Sequence, residues 1–262
     1  MMATSKWAQR RKMYYAAGVL GVFLLVTIPV VFNALYEPAS CFDGKQNQGE
    51  TAIDRGGPCA LLDVSRLEPH AVLWARSFAV RDGFYNAVAY IENPNQNAGV
   101  FDAGYQFKLY DSRNVLVAER SGRVPIPPGK VFPIFESRID TGNRIPVRTI
   151  FSFTNTFNWE RMRDPVEGIQ VSNERLSGQN SAPRLDAELY NTTTIDKQNV
   201  VVIATIFDTA GNAIAASRTI VPRLLPNERE AIAFTWPHPF TTPVARIDIV
   251  PLAVPESIFN VR

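Results

Sequence analysis

Apolar positions fall into two regimes along this chain. From Met13 to Tyr36 they run together, MYYAAGVLGVFLLVTIPVVFNALY, 24 residues without a charge. As a helix, the heart of this run, Tyr14 to Phe32, spans roughly 28 Å at about 1.5 Å per residue, close to the hydrocarbon core of a bilayer. From His70 onward, aliphatic and aromatic residues come instead in short runs: residues 70–80, 84–92, 103–110, 115–120, 131–139 and 147–157. Turn chemistry separates them, as in Arg81-Asp82-Gly83, Asn93-Pro94-Asn95, Asp111-Ser112-Arg113-Asn114 and Pro127-Pro128-Gly129. A second set follows at 168–172, 184–190, 200–207, 213–221, 230–236 and 244–252. Short strands at this spacing predict β-sandwiches.

The two sets can be laid over each other. FKLYDSRNVLVAERSGRVPIPPGKVFPIF, from Phe107, faces ATIFDTAGNAIAASRTIVPRLLPNEREAIAF, from Ala204, about 97 residues later. A strand, turn, strand, Pro-turn, strand unit that recurs at such a distance predicts a duplicated domain. Between the copies, Glu160 to Pro165, ERMRDP, is charged and ends in proline, as a connector does. The predicted organisation is therefore a stub at 1–12, a membrane helix at 13–36, a loop at 37–65, and sandwiches at 66–163 and 164–262. Each sandwich is large enough to form its own core.

Charge gives the helix a direction. Lys6, Arg10, Arg11 and Lys12 precede it with no acid among them, which places the N-terminus in the cytoplasm and residues 37–262 outside. The alternative, a cleaved signal peptide, has a shorter apolar region and a small-x-small cleavage site, whereas Glu37-Pro38-Ala39-Ser40 follows here. The body beyond Tyr36 carries 23 basic and 25 acidic residues, a net charge of −2, and so offers no electrostatic footprint for nucleic acid. Cys41 and Cys59, the only cysteines, lie on the oxidising side and predict one disulfide. It would close a 19-residue ring, worth about 3 kcal/mol by chain entropy.

Candidate chemistry is sparse. His70 and His238 are the only histidines, and the chain has no G-x-S-x-G, phosphate loop or H-E-x-x-H, so no catalytic residue and no cofactor is expected. Asp43, Asn47, Glu50 and Asp54 offer oxygens at close spacing, the material of a calcium site, but they are also the residues that turns require. Trp74, Trp159 and Trp236 sit near strand ends, where they can fill a core or line a groove for a sugar or other small ligand. Asn191-Thr192-Thr193 is a formal glycosylation sequon.

Two stretches resemble known motifs. Phe107, Leu109, Tyr110 and Asp111, followed by a turn and then by Pro128-Gly129, resemble the FxLYD family of immunoglobulin-like domains, carried by membrane-anchored bacterial proteins. The likeness covers about residues 69 to 160. The second copy keeps Ile206, Phe207, Asp208 and Pro226, with Asn227 in place of glycine. Cys41, Asp43, Gly44, Asn47, Glu50, Asp54, Gly56, Gly57 and Cys59 resemble a small motif of secreted proteins, C-x-D-G-x-x-N-x-x-E-x-x-x-D-C-G-G-x-C-x-x-C. Two of its cysteines are replaced, by Arg55 and Leu62. Their joint loss implies that they pair with each other, leaving Cys41 with Cys59.

The expected protein is mainly β, with two tandem immunoglobulin-like sandwiches behind one N-terminal transmembrane helix. It is expected to act without catalysis, through a protein partner at the cell envelope, with ligand binding in an aromatic groove as the alternative.

Overall fold

A computed structural model describes residues 6–35 and 39–253. Residues 1–5, 36–38 and 254–262, which include the outer ends of the predicted stub, helix, loop and second sandwich, lie outside the described residues. The chain divides into two compact units, residues 1–58 and 59–262.

The first unit opens with α1, Lys6–Leu35, which begins within the basic stub rather than at Met13. It contains a candidate membrane span, Trp7–Asn33, whose most apolar window has a mean hydropathy of 2.3 and is not buried against protein. Pro29 lies inside the helix. After it comes a knot of turns, in which glycines 44, 49, 56 and 57 take positive φ.

The second unit is built from antiparallel strands. In chain order they are β1 (Ala71–Arg81), β2 (Phe84–Asn93), β3 (Ala98–Tyr110), β4 (Leu116–Ile126), β5 (Lys130–Asp140) and β6 (Arg148–Phe153). A short β7 (Glu160–Arg161) leads to β8 (Ile169–Ser177), β9 (Arg184–Asn191) and β10 (Lys197–Asp208). The last three are β11 (Ala213–Leu224), β12 (Arg229–Thr235) and β13 (Val244–Ala253). The sheets run β1-β2-β5 and β4-β3-β6 in the first half, β8-β9-β12 and β11-β10-β13 in the second. The second pair repeats the order of the first strand for strand, so the duplication read from the sequence is a duplication of topology.

The repeat extends to single side chains. Asp111 follows β3, and its Oδ1 accepts from the N–H groups of Arg113 and Val115 at 2.9 and 3.0 Å. Asp208 ends β10 and does the same for Ala210 and Asn212 at 2.9 and 2.8 Å. At the ends of β2 and β9, Asn93 and Asn191 are both fully buried. Asn93 Nδ2 donates to the carbonyls of Ala98 and Pro127, and Asn191 Nδ2 to those of Ile195, Leu224 and Leu225. The Pro-turns match as well. Gly129 has φ +61°, and Asn227, at its counterpart, has φ +58°, a region that Asn tolerates better than other residues with a side chain.

The halves are not separate bodies. Along β10, Val200, Val202, Ala204 and Ile206 point into the core of the second half, with Leu185, Leu189 and Phe234. The alternate residues Val201, Ile203 and Phe207 join the core of the first half, with Ala213, Ala216 and Leu252. β2 is likewise buried on both faces from Ala87 to Ile91. The outer face of β1-β2-β5 thus packs on the outer face of β11-β10-β13. There Trp74 stacks on Tyr90 at 4.5 Å between ring centroids, and both meet Phe207 edge-on. Arg76 Nη1 donates to the carbonyl of Ala213 at 2.8 Å, and Tyr90 OH to Asp248 at 3.3 Å.

The remaining outer faces are more polar than their counterparts in the other half. On β3, Gln106, Lys108 and Tyr110 stand where β10 has Ile203, Thr205 and Phe207. They engage Ser121, Glu119 and Arg148. On β9, Asp186 and Glu188 stand where β2 has Val88 and Tyr90, and they pair with Arg184 and Arg229.

The stretch expected to act as a simple connector is held on both sides. β7 pairs with β3, Arg161 N–H donates to the carbonyl of Ala60, and Met162 N–H donates to that of Asn97. Met162 and Val166 are buried, and Asp164 forms an ion pair with Lys130.

Candidate functional site

The residues singled out from the sequence serve mainly to hold the fold. Neither cysteine is free: Cys41 and Cys59 are disulfide-bonded. In the knot, Asp43 accepts from the side chain of Asn47 at 2.8 Å and from Lys45 N–H at 2.8 Å. The Asn47 bond comes first among the causes that hold the Asp43 carboxyl below its ordinary value. Asp54 accepts from the N–H groups of Asp43 and Gly44, and Glu50 from those of Asn47 and Asp54. The four calcium candidates are thus tied into the loop's own hydrogen bonds.

His70 packs against Phe153, Phe157 and Trp159 at 5.0–6.0 Å, and burial lowers its pKa, favouring the neutral ring. His238 is exposed in the loop after β12. Among the described residues neither joins a cluster of three metal-ligating side chains. Trp159 and Trp236 are buried, and Trp74 lies between the halves. The sequon at Asn191 belongs to a side chain with no exposed surface and three donated hydrogen bonds, so it is unavailable for glycosylation in the folded protein.

A concavity of the second unit has a volume of about 1130 Å³. One wall is β4, from Arg120 to Val124, and the other is β5, from Pro133 to Arg138. Val201, Ile203, Ile220 and Leu252 of the second half supply an apolar side. None of the three tryptophans named above lines it. Four guanidinium groups do, those of Arg120, Arg123, Arg138 and Arg218. Arg123 pairs with Asp102, and Arg218 lies over the Phe135 ring at 5.6 Å. The single lining carboxylate, Glu136, accepts from Tyr105 OH at 2.6 Å. Gly122 makes room for that pair, since a Cβ there would lie 2.4 Å from the Tyr105 oxygen.

Backbone irregularity aims one arginine at the groove. The β2–β5 register shifts between Tyr85 and Ala87, so that β5 carries an extra residue at Ser137-Arg138. Arg138 takes φ +55°, and its N–H donates to the side chain of Asn86 at 3.1 Å. Bulges of this kind re-aim side chains and recur beside functional sites. Of its four arginines only Arg120 and Arg123 are neighbours in sequence, so no local pattern marks the site.

No family model matches this chain, and no curated protein matches it. Among solved structures, red sea bream transglutaminase aligns over 71% of this chain and 32% of its own, at 11% identity and TM-score 0.23. A Bacteroides uniformis beta-glucuronidase aligns over 67% of this chain and 22% of its own, at 11% identity and TM-score 0.20. The chain therefore spans a third or less of these proteins, and at such TM-scores the likeness carries no argument about function.

Proposed function

We propose that this chain is a single-pass membrane protein with a cytoplasmic N-terminus, which presents its β-sandwich body outside the membrane and works by non-catalytic interaction with another protein of the cell envelope. The observation that carries this reading is α1, whose Met13 to Leu35 are 23 residues without a charge and whose most apolar window has no protein packed on it. An apolar cylinder of that length is untenable in water and at home in lipid. The four bases before it favour the stated orientation, and an oxidised cysteine pair fits an extracytoplasmic compartment. The FxLYD resemblance points the same way, to membrane-anchored bacterial proteins.

Protease added to intact spheroplasts is expected to digest residues 37–262 and spare the stub. Protection of the body, or its release into the medium without detergent, would overturn the anchor. Crosslinking in intact cells is expected to capture a defined envelope protein, and recovery of the uncrosslinked chain alone would count against the interaction.

A further inference from the structure

We propose that the groove between β4 and β5 receives an extended segment of a partner protein in which acidic and aliphatic residues alternate; the inference rests on the interaction reading above and names the chemistry of its partner. Three observations converge on it. The first is charge. Four arginines and one glutamate are among the lining residues, and counting Asp102 as well still leaves a surplus of +2, on a body whose net charge is −2. Guanidinium groups recognise carboxylates by charge-assisted, often bidentate hydrogen bonds.

The second is the backbone of the walls. Among the described residues β4 pairs only with β3 and β5 only with β2, so each strand keeps one edge unpaired by them, and these two strands form the groove walls. An unpaired edge offers N–H and C=O groups to an incoming strand. The walls run for five and six residues, roughly 16–20 Å at 3.3 Å per residue, the reach of a short strand.

The third is apolar surface: Ile220 is exposed beside the arginine-bearing walls, over Val201, Ile203 and Leu252, which are buried in the core of the first half. An extended chain turns successive side chains to opposite faces, so alternation of acidic and aliphatic residues satisfies both surfaces together. Ile220, 41% exposed, is the apolar residue most open to such a contact. A simple anion would leave that surface unused.

The test uses the full-length chain in non-ionic detergent and a fluorescent peptide alternating Glu and Val over about ten residues, long enough to span the walls. Its comparator has the same composition, with glutamates in one block and valines in the other. The alternating peptide is expected to bind saturably, about tenfold or more tighter than the block peptide, and to weaken as salt is raised. Charge reversal of two exposed arginines, Arg120→Glu with Arg138→Glu, is expected to weaken binding about tenfold or more with the thermal midpoint unchanged. Ile220→Asp is expected to weaken it independently, so the result survives if the double variant fails to fold. Absence of binding, equal affinity for the two peptides, or indifference to both sets of substitutions would overturn the proposal. Displacement of both peptides alike by phosphatidylglycerol vesicles would overturn it in favour of a lipid surface. Any of these failures leaves the anchored-interaction reading to its own protease and crosslinking tests.

Discussion

Asn93 and Asn191 each replace backbone partners that their sheets lack where the chain turns away. Asn191→Ala takes its Nδ2 donor from the buried carbonyl of Leu224 and its Oδ1 acceptor from the Thr193 N–H, whereas the carbonyls of Ile195 and Leu225 keep the Thr193 hydroxyl and the Glu228 N–H. Buried polar groups left unsatisfied cost about 1–3 kcal/mol each. Asn191→Ala and Asn93→Ala are therefore expected to lower the urea midpoint well beyond the effect of an exposed Asn180→Ala, and an equal effect would refute the role. The aspartates behave differently because they titrate. The Val115 N–H, ahead of the other causes, holds the Asp111 carboxyl below its ordinary 3.8, and the Arg184 side chain does the same for Asp186. A carboxyl more acidic in the folded chain contributes its full stabilisation above its unfolded pKa and loses it as pH falls through the folded value. Stability is thus expected to be insensitive to these groups at neutral pH and to fall below about pH 4. Asp111→Asn, which keeps an accepting oxygen but cannot ionise, should flatten that fall in urea titrations at pH 3 to 5. An unchanged acid limb would remove Asp111 from the account.

At the scale of elements, most strands coincide with the runs read from the sequence, because alternation and turn chemistry are local. What escaped was two-sided burial. Val200 to Phe207 reads as one apolar run, and such a run marks a strand covered on both faces, but it does not say by what. The cover turned out to be the other half. Ile203→Asp therefore places a carboxylate between the halves. It is expected to destabilise by about 3–5 kcal/mol, against about 1 kcal/mol for Ile203→Val, as measured by denaturation. A mild effect of the aspartate would mean that the contact between the halves is dispensable. Residues 160–165 were read as a connector because their side chains are charged, yet their backbone is what holds them, pairing with β3 and with Ala60. The groove was least legible of all, because its four arginines come from three strands and only Arg120 and Arg123 are near each other in sequence.

For the whole molecule, each half retains an inter-sheet core of its own, and the contact between them adds a third layer of burial. Fragments 66–163 and 164–262 are expected to fold less stably than the joined chain and to associate when mixed, detectable by size-exclusion chromatography. Ile203→Asp in the second fragment should abolish that association. Failure of the wild-type fragments to associate would show that the contact depends on covalent linkage. The manner of stacking has a further consequence. The halves meet by unlike faces, β1-β2-β5 on β11-β10-β13, and a contact between unlike faces does not close on itself: it leaves at each end the face that the next unit needs. Repeated, such a contact builds an open filament, or a ring where its rotation closes. Gln106, Lys108 and Tyr110 at one end, and Asp186 and Glu188 at the other, put hydrated charge and polarity where growth would need apolar surface, which disfavours addition of a third unit.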